Sequence, residues 1–462
     1  MKIAEVIADL ICDITYEDLS EDIKNRTKYL ALDFIGLATR GSTFKSSKPI
    51  QSFIASLGGD ENGVVIGSNH LSPLPQYAAL ANGTSAHSLE LDDVINEASL
   101  HPAVVVFPTA FAIAEANKKS GKDLMLAAVI GYEVMGRLGK ALNPTNVYDR
   151  GFHPTGVVGT FAAVATASKL LNLTKEQIVN ALGIAGSQAA ASMEFLNTGS
   201  WTKRLHPGWA AHNGIIAAEL AKAGFTGPNS IIEGDKGFAQ AYSIDVKPEE
   251  VIFPFSNDHN YILKTSIKPH ACCRYKQGPL DLILNIVSEN SLKASDINRI
   301  DIEMVQTGLP IVALPEKEKR NPQSSVDAQF SMHFGAAVAV LYKRTLLEEY
   351  DDQVVHRSEV KDFMNKVYCH RGKDLEVDFP KKWPARVKIE SSMGIFQKEI
   401  DYPKGDPENP MSWNELIEKF CYVTSTCYEP NQQKYLIEEI KNLERIKSIN
   451  DLTLNFKGGV HA

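Results

Sequence analysis

Signals for helix starts recur through roughly the first 260 residues, and they constrain the fold of this chain more than any other feature. Ser20, Ser120 and Thr174 each stand before apolar side chains spaced three and four residues apart, as on one face of a helix. Asp123 and Gln177 add the second half of a capping box to two of these starts. The pattern predicts helix after helix in this part of the chain.

Small residues dominate two stretches of the same region, 161–168 and 189–192, and both are predicted to be helical. Small side chains let helix axes approach closely, because little bulk separates the two backbones. We therefore expect a compact bundle in which many helices are buried on most sides.

The pattern changes after about residue 265. Residues 299–305 and 385–389 alternate apolar and polar side chains, and 395–402 continues this alternation, which predicts strands and a hairpin around 391–394. Helical patterns return between the strands, and Ser412 is predicted to cap a further helix. The predicted fold class is mainly α, with a large all-helical domain built from both chain ends and a smaller α/β domain. The predicted boundaries are 1–265 and 403–462 for the helical domain and 266–402 for the α/β domain.

Composition and charge limit the classes of function. Lys and Arg number 48 against 56 Asp and Glu, a net charge of −8, so no basic surface is available for nucleic acid. The longest apolar stretch, 103–114, is broken by Pro108 and is shorter than the roughly 20 residues of a membrane-spanning helix. Glu5 and Asp9 lie in the first predicted helix and spoil any export signal. We expect a soluble, cytoplasmic protein without nucleic-acid or membrane partners.

Cysteine spacing argues against a structural metal site. The six cysteines lack framework spacing, and the chain contains neither a CxxC pair nor an HExxH motif. Cys272 and Cys273 are adjacent, which is a poor geometry for zinc. The sequence predicts reduced thiols and no metal.

Four segments place ionisable residues beside Gly, Pro or small residues, and the first is 82–93. Glu90 and Asp93 lie at its end, and His101 follows within eight residues. A carboxylate that orients an imidazole is a common way to set a catalytic base. The alternative is a solvated helix end, which acidic clusters often form.

The second segment, 151–156, places His153 at a predicted helix start. The helix dipole disfavours a cationic imidazole at this end, which leaves a neutral ring that can accept a proton. The alternative is a histidine with a purely structural role.

The third and fourth segments, 201–212 and 267–276, are cationic and contain no acidic residue. Solvated faces normally mix both signs, so each segment suggests an anion site. The candidate residues are Lys203, Arg204, His206, Lys268, His270, Cys273 and Arg274. Cations of this kind suit a substrate with two or three carboxylates, and they would stabilise the enediolate formed when a proton α to a carboxylate is removed. The residues thus predict a cofactor-free acid–base enzyme acting on a small polyacid.

At these four segments the chain resembles the MmgE/PrpD family, which includes 2-methylcitrate dehydratases, cis-aconitate decarboxylases and iminodisuccinate epimerases. The resemblance runs over essentially the whole length, and its motifs lie at 82–93, 151–154, 203–208, 268–274 and 405–412. It implies a homodimer, a helical domain with a smaller α/β lid domain, and neither metal nor organic cofactor. By motif matching, the implied site positions are Glu90, Asp93, His101, His153, Lys203, Lys268 and Cys273.

Three positions depart from the family pattern. Where the family pattern has Asp-x-Asp-Asp-Thr, this chain has Glu90 at the first position and Val94 at the last. The histidine that the pattern places five residues after Lys268 is Cys273 here, and a tyrosine of the pattern is Phe334. An epimerase needs only removal and return of a proton, which His101 and His153 could divide between opposite faces of the substrate. Epimerisation or isomerisation is therefore the leading prediction. The alternatives are a dehydratase, a decarboxylase and a non-catalytic carboxylate-binding scaffold.

Overall fold

The chain divides into two compact units in the computed structural model, which describes residues 2–58 and 63–457. Unit 1 takes in the described residues of Met1–Ser88, Asp92–Thr265 and Ser412–Ala462. Unit 2 consists of Leu89–Leu91 and Ser266–Met411. The return to unit 1 falls later than residue 403, because the preceding loop is tied into unit 2, where the Ile267 amide donates to the Gly405 carbonyl at 3.0 Å.

Helices make up most of the structure, which confirms the mainly α fold class. The first helices, all in unit 1, are α1 (Ile3–Asp13), α2 (Glu21–Gly41), α3 (Ser47–Leu57), α4 (Pro75–His87), α5 (Ala103–Ala116), α6 (Gly121–Ala141), α7 (Pro144–Asp149), α8 (Pro154–Leu171), α9 (Lys175–Gly186), α10 (Thr202–Lys222) and α11 (Phe238–Tyr242). Unit 2 contains α12 (Gln277–Glu289), α13 (Leu309–Val312), α14 (Glu316–Lys319), α15 (Ser325–Gln329), α16 (Met332–Tyr342), α17 (Asp352–Val355) and α18 (Ser358–Met364). The chain returns to unit 1 with α19 (Trp413–Thr424), α20 (Pro430–Lys441) and α21 (Ile449–Thr453). Within the described residues, no helix is both long enough and apolar enough to cross a membrane.

The predicted helix caps are confirmed. The side chains of Ser20, Ser120, Thr174 and Ser412 accept backbone amides at the starts of α2, α6, α9 and α19. The last three are capping boxes. Each cap satisfies donors that have no partner inside the helix, so these start positions are encoded locally.

Strand pairing in unit 2 follows the predicted alternation. Short strands β1 (Val94–Ile95) and β2 (Thr265–Ser266) precede a four-stranded sheet of order β4-β3-β5-β6, formed by β3 (Ile297–Met304), β4 (Val367–Arg371), β5 (Ala385–Ser391) and β6 (Gly394–Ile400). β3 is parallel to β4 and antiparallel to β5, and β5 pairs with β6 in the predicted hairpin, with Ser391 opposite Gly394. Ile300, Ile302, Val387 and Ile389 are fully buried on one face. One of the helical patterns between the strands covers 358–367, but the observed helix ends at Met364 and Val367 begins β4.

The helical prediction for residues 189–192 is wrong. Helix α9 ends at Gly186, and the chain then extends so that Ser192 bridges Phe152. The Ala191 carbonyl accepts the amide of His153 at 2.9 Å. This extended pairing supplies a partner for the first amide before α8 and fixes where His153 lies.

Residues 203–208, one of the motifs shared with the family, form the first turns of α10. Pro207 lies inside this helix. Gly208 packs against α4, where an added Cβ would lie 2.3 Å from the Leu80 carbonyl oxygen. Gly83 on α4 makes the reciprocal approach, since its Cβ would lie 2.8 Å from the Gly208 Cα. The absence of side chains at these two positions lets α4 and α10 lie close together.

Candidate active site

Four histidines of unit 1 form a connected cluster. His87 ends α4, His101 precedes α5, His153 caps α8 and His206 lies in α10. The ring centroid of His87 lies 5.3 Å from that of His101 and 5.7 Å from that of His153. His101 and His153 are 6.3 Å apart, and His153 and His206 are 5.4 Å apart. His101, His153 and His206, predicted from three of the four segments, are thus brought together, and His87 joins them.

Asp92 is the carboxylate that touches the imidazoles. Its Oδ2 lies 2.6 Å from Nδ1 of His87 and 3.4 Å from Nδ1 of His101, and it is fully buried. The sequence assigned this orienting role to Asp93. The side chains of neighbouring residues point in different directions here, so the contact falls to the preceding acid.

Asp93 contacts His101 through its backbone instead. Nδ1 of His101 lies 2.6 Å from the Asp93 carbonyl oxygen, which can only accept a hydrogen bond. Nδ1 of His101 therefore carries a proton, and in the neutral ring Nε2 has the lone pair. The amide of His101 donates to the Thr155 hydroxyl on α8 at 3.1 Å. These contacts fix the tautomer and position of a ring whose Nε2 is able to accept a proton.

The Asp93 carboxyl group is buried at the start of α5. Tyr132 donates its hydroxyl to Oδ2 at 2.7 Å, and the Ala103 amide donates to Oδ1 at 3.0 Å. Burial raises the pKa of Asp93 to about 8, despite these two hydrogen bonds. Its catalytic role stays a prediction, and the geometry shows that it holds the loop before His101 against α5 and α6.

His153 is held in a neutral state. Burial and the nearby charge of Lys203 keep the pKa of His153 well below its ordinary value, with further contributions from neighbouring histidines. Burial, with His87 and Lys203, lowers the pKa of His206 to about 4. Nδ1 of His153 lies 3.2 Å from Nδ1 of His206. Both rings are therefore uncharged at neutral pH, and each has one nitrogen lone pair.

Lys203 and Arg204 lie in the first turn of α10 and are half-buried. Arg204 donates to the Ser46 hydroxyl at 3.0 Å, and this hydroxyl lies 3.1 Å from that of Ser88. Lys203 lies near enough to His153 and His206 for its charge to lower both pKa values. The predicted cationic segment is therefore next to the histidine cluster within unit 1.

A second group of predicted residues lies in unit 2. Lys268 is buried and donates to the Glu90 carbonyl at 3.1 Å. Glu90 is itself buried and has a positive φ of 55°, which is uncommon for a residue with a side chain. Gln329 donates to the carbonyls of Leu89 and Ala271, at 3.0 and 3.1 Å. Lys268 and Gln329 together hold the short Leu89–Leu91 segment.

The fourth segment lacks acids in sequence but not in space. His270 uses both ring nitrogens within unit 2, with Asp281 Oδ1 at 2.9 Å and the Thr345 hydroxyl at 2.7 Å. Arg274 pairs with the buried carboxylate of Asp406 at 2.6 Å. These two residues are therefore weaker candidates for an anion site, because carboxylates outside the segment already pair with them. Their substrate-binding roles stay predictions.

Two departures from the family pattern lie in buried surroundings. Cys273 is 8% exposed, and its amide donates to the Gln329 carbonyl at 3.2 Å. Phe334 is fully buried on α16, and its ring packs 5.6 Å from that of Tyr350. Across the described residues, no group of three or more His, Cys, Asp or Glu side chains is arranged to hold a metal ion.

No role was predicted from the sequence for His87, Tyr132 or Gln329. His87 carried a usable signal, since it lies five residues before Asp92 in the same motif. Tyr132 and Gln329 lie 39 and 240 residues from the groups they bond, so no local pattern could identify them.

Comparison with known proteins matches this chain to two consecutive family domains. The MmgE/PrpD N-terminal domain matches residues 5–251, and the MmgE/PrpD C-terminal domain matches residues 270–445. A cis-aconitate decarboxylase from Homo sapiens is 29% identical over 99% of this chain and 95% of its own length. One from Aspergillus terreus is 28% identical over 95% of this chain and 93% of its own length. A 2-methylcitrate dehydratase from Escherichia coli (strain K12) is 21% identical over 94% of this chain and 93% of its own length.

These relatives are lyases by name, which agrees with the predicted enzyme class of isomerase or lyase. The two domain matches follow the order of the chain and together cover most of it. This chain belongs to the MmgE/PrpD family.

Proposed function

We propose that this protein is a cofactor-independent acid–base enzyme that removes a proton α to a carboxylate of a small di- or tricarboxylate. The proposed outcome is epimerisation or isomerisation, as in an iminodisuccinate epimerase. The observation that carries the proposal is the hydrogen bond from His101 Nδ1 to the Asp93 carbonyl, at 2.6 Å. It keeps a proton on Nδ1, so that Nε2 is the nitrogen proposed to accept the substrate proton.

A second neutral imidazole supports transfer at both faces of a carbon. The rings of His101 and His153 are 6.3 Å apart by centroid and inclined by 51°. Both rings thus lie in one cluster, and each base must come within about 3–3.5 Å of the substrate carbon to exchange a proton with it. One histidine would remove the proton and the other would return it to the opposite face.

Cationic residues supply the complementary charge. Lys203 and Arg204 would bind a substrate carboxylate beside the histidine cluster and stabilise the enediolate. In unit 2, Lys268 is a proposed catalytic cation, and Glu90, His270, Cys273 and Arg274 are proposed binding residues. The homodimer and the cytoplasmic location also belong to the proposal.

A lyase reaction is the second candidate, and the names of the relatives favour it. Decarboxylation would use the same histidines to protonate the carbanion left by CO₂. Dehydration would additionally need an acid that protonates the departing hydroxyl. The substitutions at Val94, Cys273 and Phe334 count against a reaction identical to that of the decarboxylases.

The test is proton NMR of the purified protein in deuterated buffer with EDTA and a panel of polycarboxylates. The panel holds iminodisuccinate, 2-methylcitrate, citrate, cis-aconitate and succinate. Deuterium at an α-carbon with loss of stereochemistry and no new alkene supports the epimerase. A new alkene with loss of water, or release of CO₂, overturns it in favour of a lyase. Binding without exchange or turnover overturns the enzyme in favour of a carboxylate-binding scaffold.

A further inference from the structure

The hydrogen bond between His153 and His206 joins a buried ring to a more exposed one. Their Nδ1 atoms are 3.2 Å apart. Two neutral imidazoles can share such a bond only when one nitrogen carries the proton and the other has the lone pair. His153 is 3% exposed, whereas His206 is only partly buried. The pair therefore forms a path along which one proton can move outward.

We propose that His206 is the proton carrier that connects His153 with solvent during turnover. This inference rests on the proposed function, because it requires His153 to act on a substrate proton. His206 was predicted from the sequence only as a substrate-binding residue. Its hydrogen bond to a proposed base gives it a different role.

The transfer balances in both directions. Nε2 of His153 takes the α-proton, the C–H bond breaks, and its electron pair stays on the substrate as the enediolate. The Nδ1 proton of His153 then moves to Nδ1 of His206, and His206 releases its Nε2 proton to water. In the reverse direction, water protonates Nε2 of His206, and the same shift returns a proton to the carbon. Each step moves one proton, and both rings end neutral with exchanged tautomers.

The surroundings of His206 favour brief protonation of its ring over lasting protonation. Lys203 and His87 lie near enough to disfavour its cationic form, and the ring of Phe195 packs edge-on at 5.9 Å. A cation that is disfavoured gives up its proton quickly, which is what repeated turnover requires.

His101 has a different environment. Its Nδ1 donates to a backbone carbonyl, which cannot take over the proton. The titratable neighbours on that side, Asp92 and His87, are both fully buried. A path through a shared Nδ1 proton is therefore proposed for His153 and not for His101.

Histidine NMR tests the shared proton without any substrate. In protein labelled with ¹⁵N in its histidine rings, we expect one protonated Nδ1 in the His153–His206 pair. We also expect the His153 signals to change in the His206→Phe variant, which keeps an aromatic ring but no nitrogen. Two rings protonated only at Nε2 would overturn the proposal.

Isotope exchange tests the carrier during turnover of the panel compound that the wild-type enzyme converts. For His206→Phe, we expect the ratio of solvent deuterium exchange to conversion to fall by at least about tenfold. His212→Gln, a substitution on the same helix at a residue bonded to Asn213, should keep the wild-type ratio. A slower His206→Phe enzyme with an unchanged ratio would show a binding or packing role and overturn the carrier. Failure of the proposed function itself would appear differently, as an absence of exchange in the wild type.

Discussion

Nδ1 of His87 lies 2.6 Å from Oδ2 of Asp92, and both side chains are fully buried. The same oxygen lies 3.4 Å from Nδ1 of His101. One carboxylate thus holds two imidazoles of the cluster. Its loss should therefore reduce catalysis even though it contacts Nδ1 of His101 and not Nε2, the nitrogen proposed to take the proton.

Replacement of Asp92 with Asn tests this relationship. The amide keeps the shape of the side chain but places a donor or a weaker acceptor against His87, so that the ring must rotate or change tautomer. We expect kcat/KM to fall by roughly 10²–10⁴, as when an orienting carboxylate is lost. Asp22→Asn, on the exposed surface of α2, is the matched control. A variant with normal activity and a normal circular dichroism spectrum would exclude a positioning role for Asp92.

The raised pKa of Asp93 predicts a specific pH dependence of stability. The pKa is about 8 in the folded protein and near 3.8 for the exposed carboxyl group, so the folded state holds the extra proton between these values. Stability from this group is therefore lost as the pH rises through this window, by up to about 1.4 kcal/mol per pH unit. Urea unfolding between pH 6.5 and 8 should show a decline in the free energy of unfolding as the pH rises. In Asp93→Asn this decline should be smaller. Equal slopes for the two proteins would contradict burial of a protonated carboxyl group.

Lys203 should control the protonation of the histidines as well as substrate binding. Its positive charge lowers the pKa of His153 and of His206. In Lys203→Ala both pKa values should therefore rise. The acid limb of the pH profile of kcat/KM should then move to higher pH, along with weaker carboxylate binding. Lys222→Ala, at the exposed end of the same helix, is the control and should leave the profile in place. An unshifted acid limb in Lys203→Ala would separate Lys203 from the histidines.

Gln329 should stabilise the segment that contains Glu90. In Gln329→Leu the carbonyls of Leu89 and Ala271 lose their donor, which should cost about 1–3 kcal/mol of folding free energy. We also expect a raised KM, because the Leu89–Leu91 segment then keeps only the contact from Lys268. Gln323→Leu removes an exposed amide whose bond is to Asn321, and it should change neither quantity. A Gln329→Leu protein as stable as the wild type would show that water replaces the amide without cost.

Activity is expected to survive EDTA. The sequence contains no CxxC pair and no HExxH motif, and the proposed chemistry uses histidine bases. Initial rates with and without the chelator are the measurement. Inhibition that a divalent cation reverses would mean that a metal-binding role for the histidines or for Cys272 and Cys273 was missed.

The fold was predictable where local chemistry decides it. Ser120 with Asp123 and Thr174 with Gln177 are contacts across three residues, and the alternation at 299–305 needs only a buried face. Residues 189–192 were mispredicted because their partner, Phe152, lies elsewhere in the chain. Composition could not reveal that an extended pairing outweighs helix propensity there.

The candidate site was predictable in its residue types and less so in its contacts. His101, His153 and Lys203 were identified because their segments concentrate ionisable groups beside Gly and Pro. The sequence could not show which of two adjacent acids faces the imidazoles, since that depends on how the loop before α5 packs. It also could not show that Asp406 neutralises Arg274 across 132 residues of chain.

His101 is proposed to transfer the substrate α-proton at Nε2, and a comparison of His101→Asn with the wild type in deuterated buffer tests this role. Both stereoisomers of the panel compound that the wild type converts are followed by NMR. We expect interconversion to fall by at least about 10²-fold, with exchange persisting for at most one isomer through His153. His259→Gln, at an exposed position, should behave as the wild type. Interconversion by His101→Asn at the wild-type rate would contradict the assignment of His101 as a base.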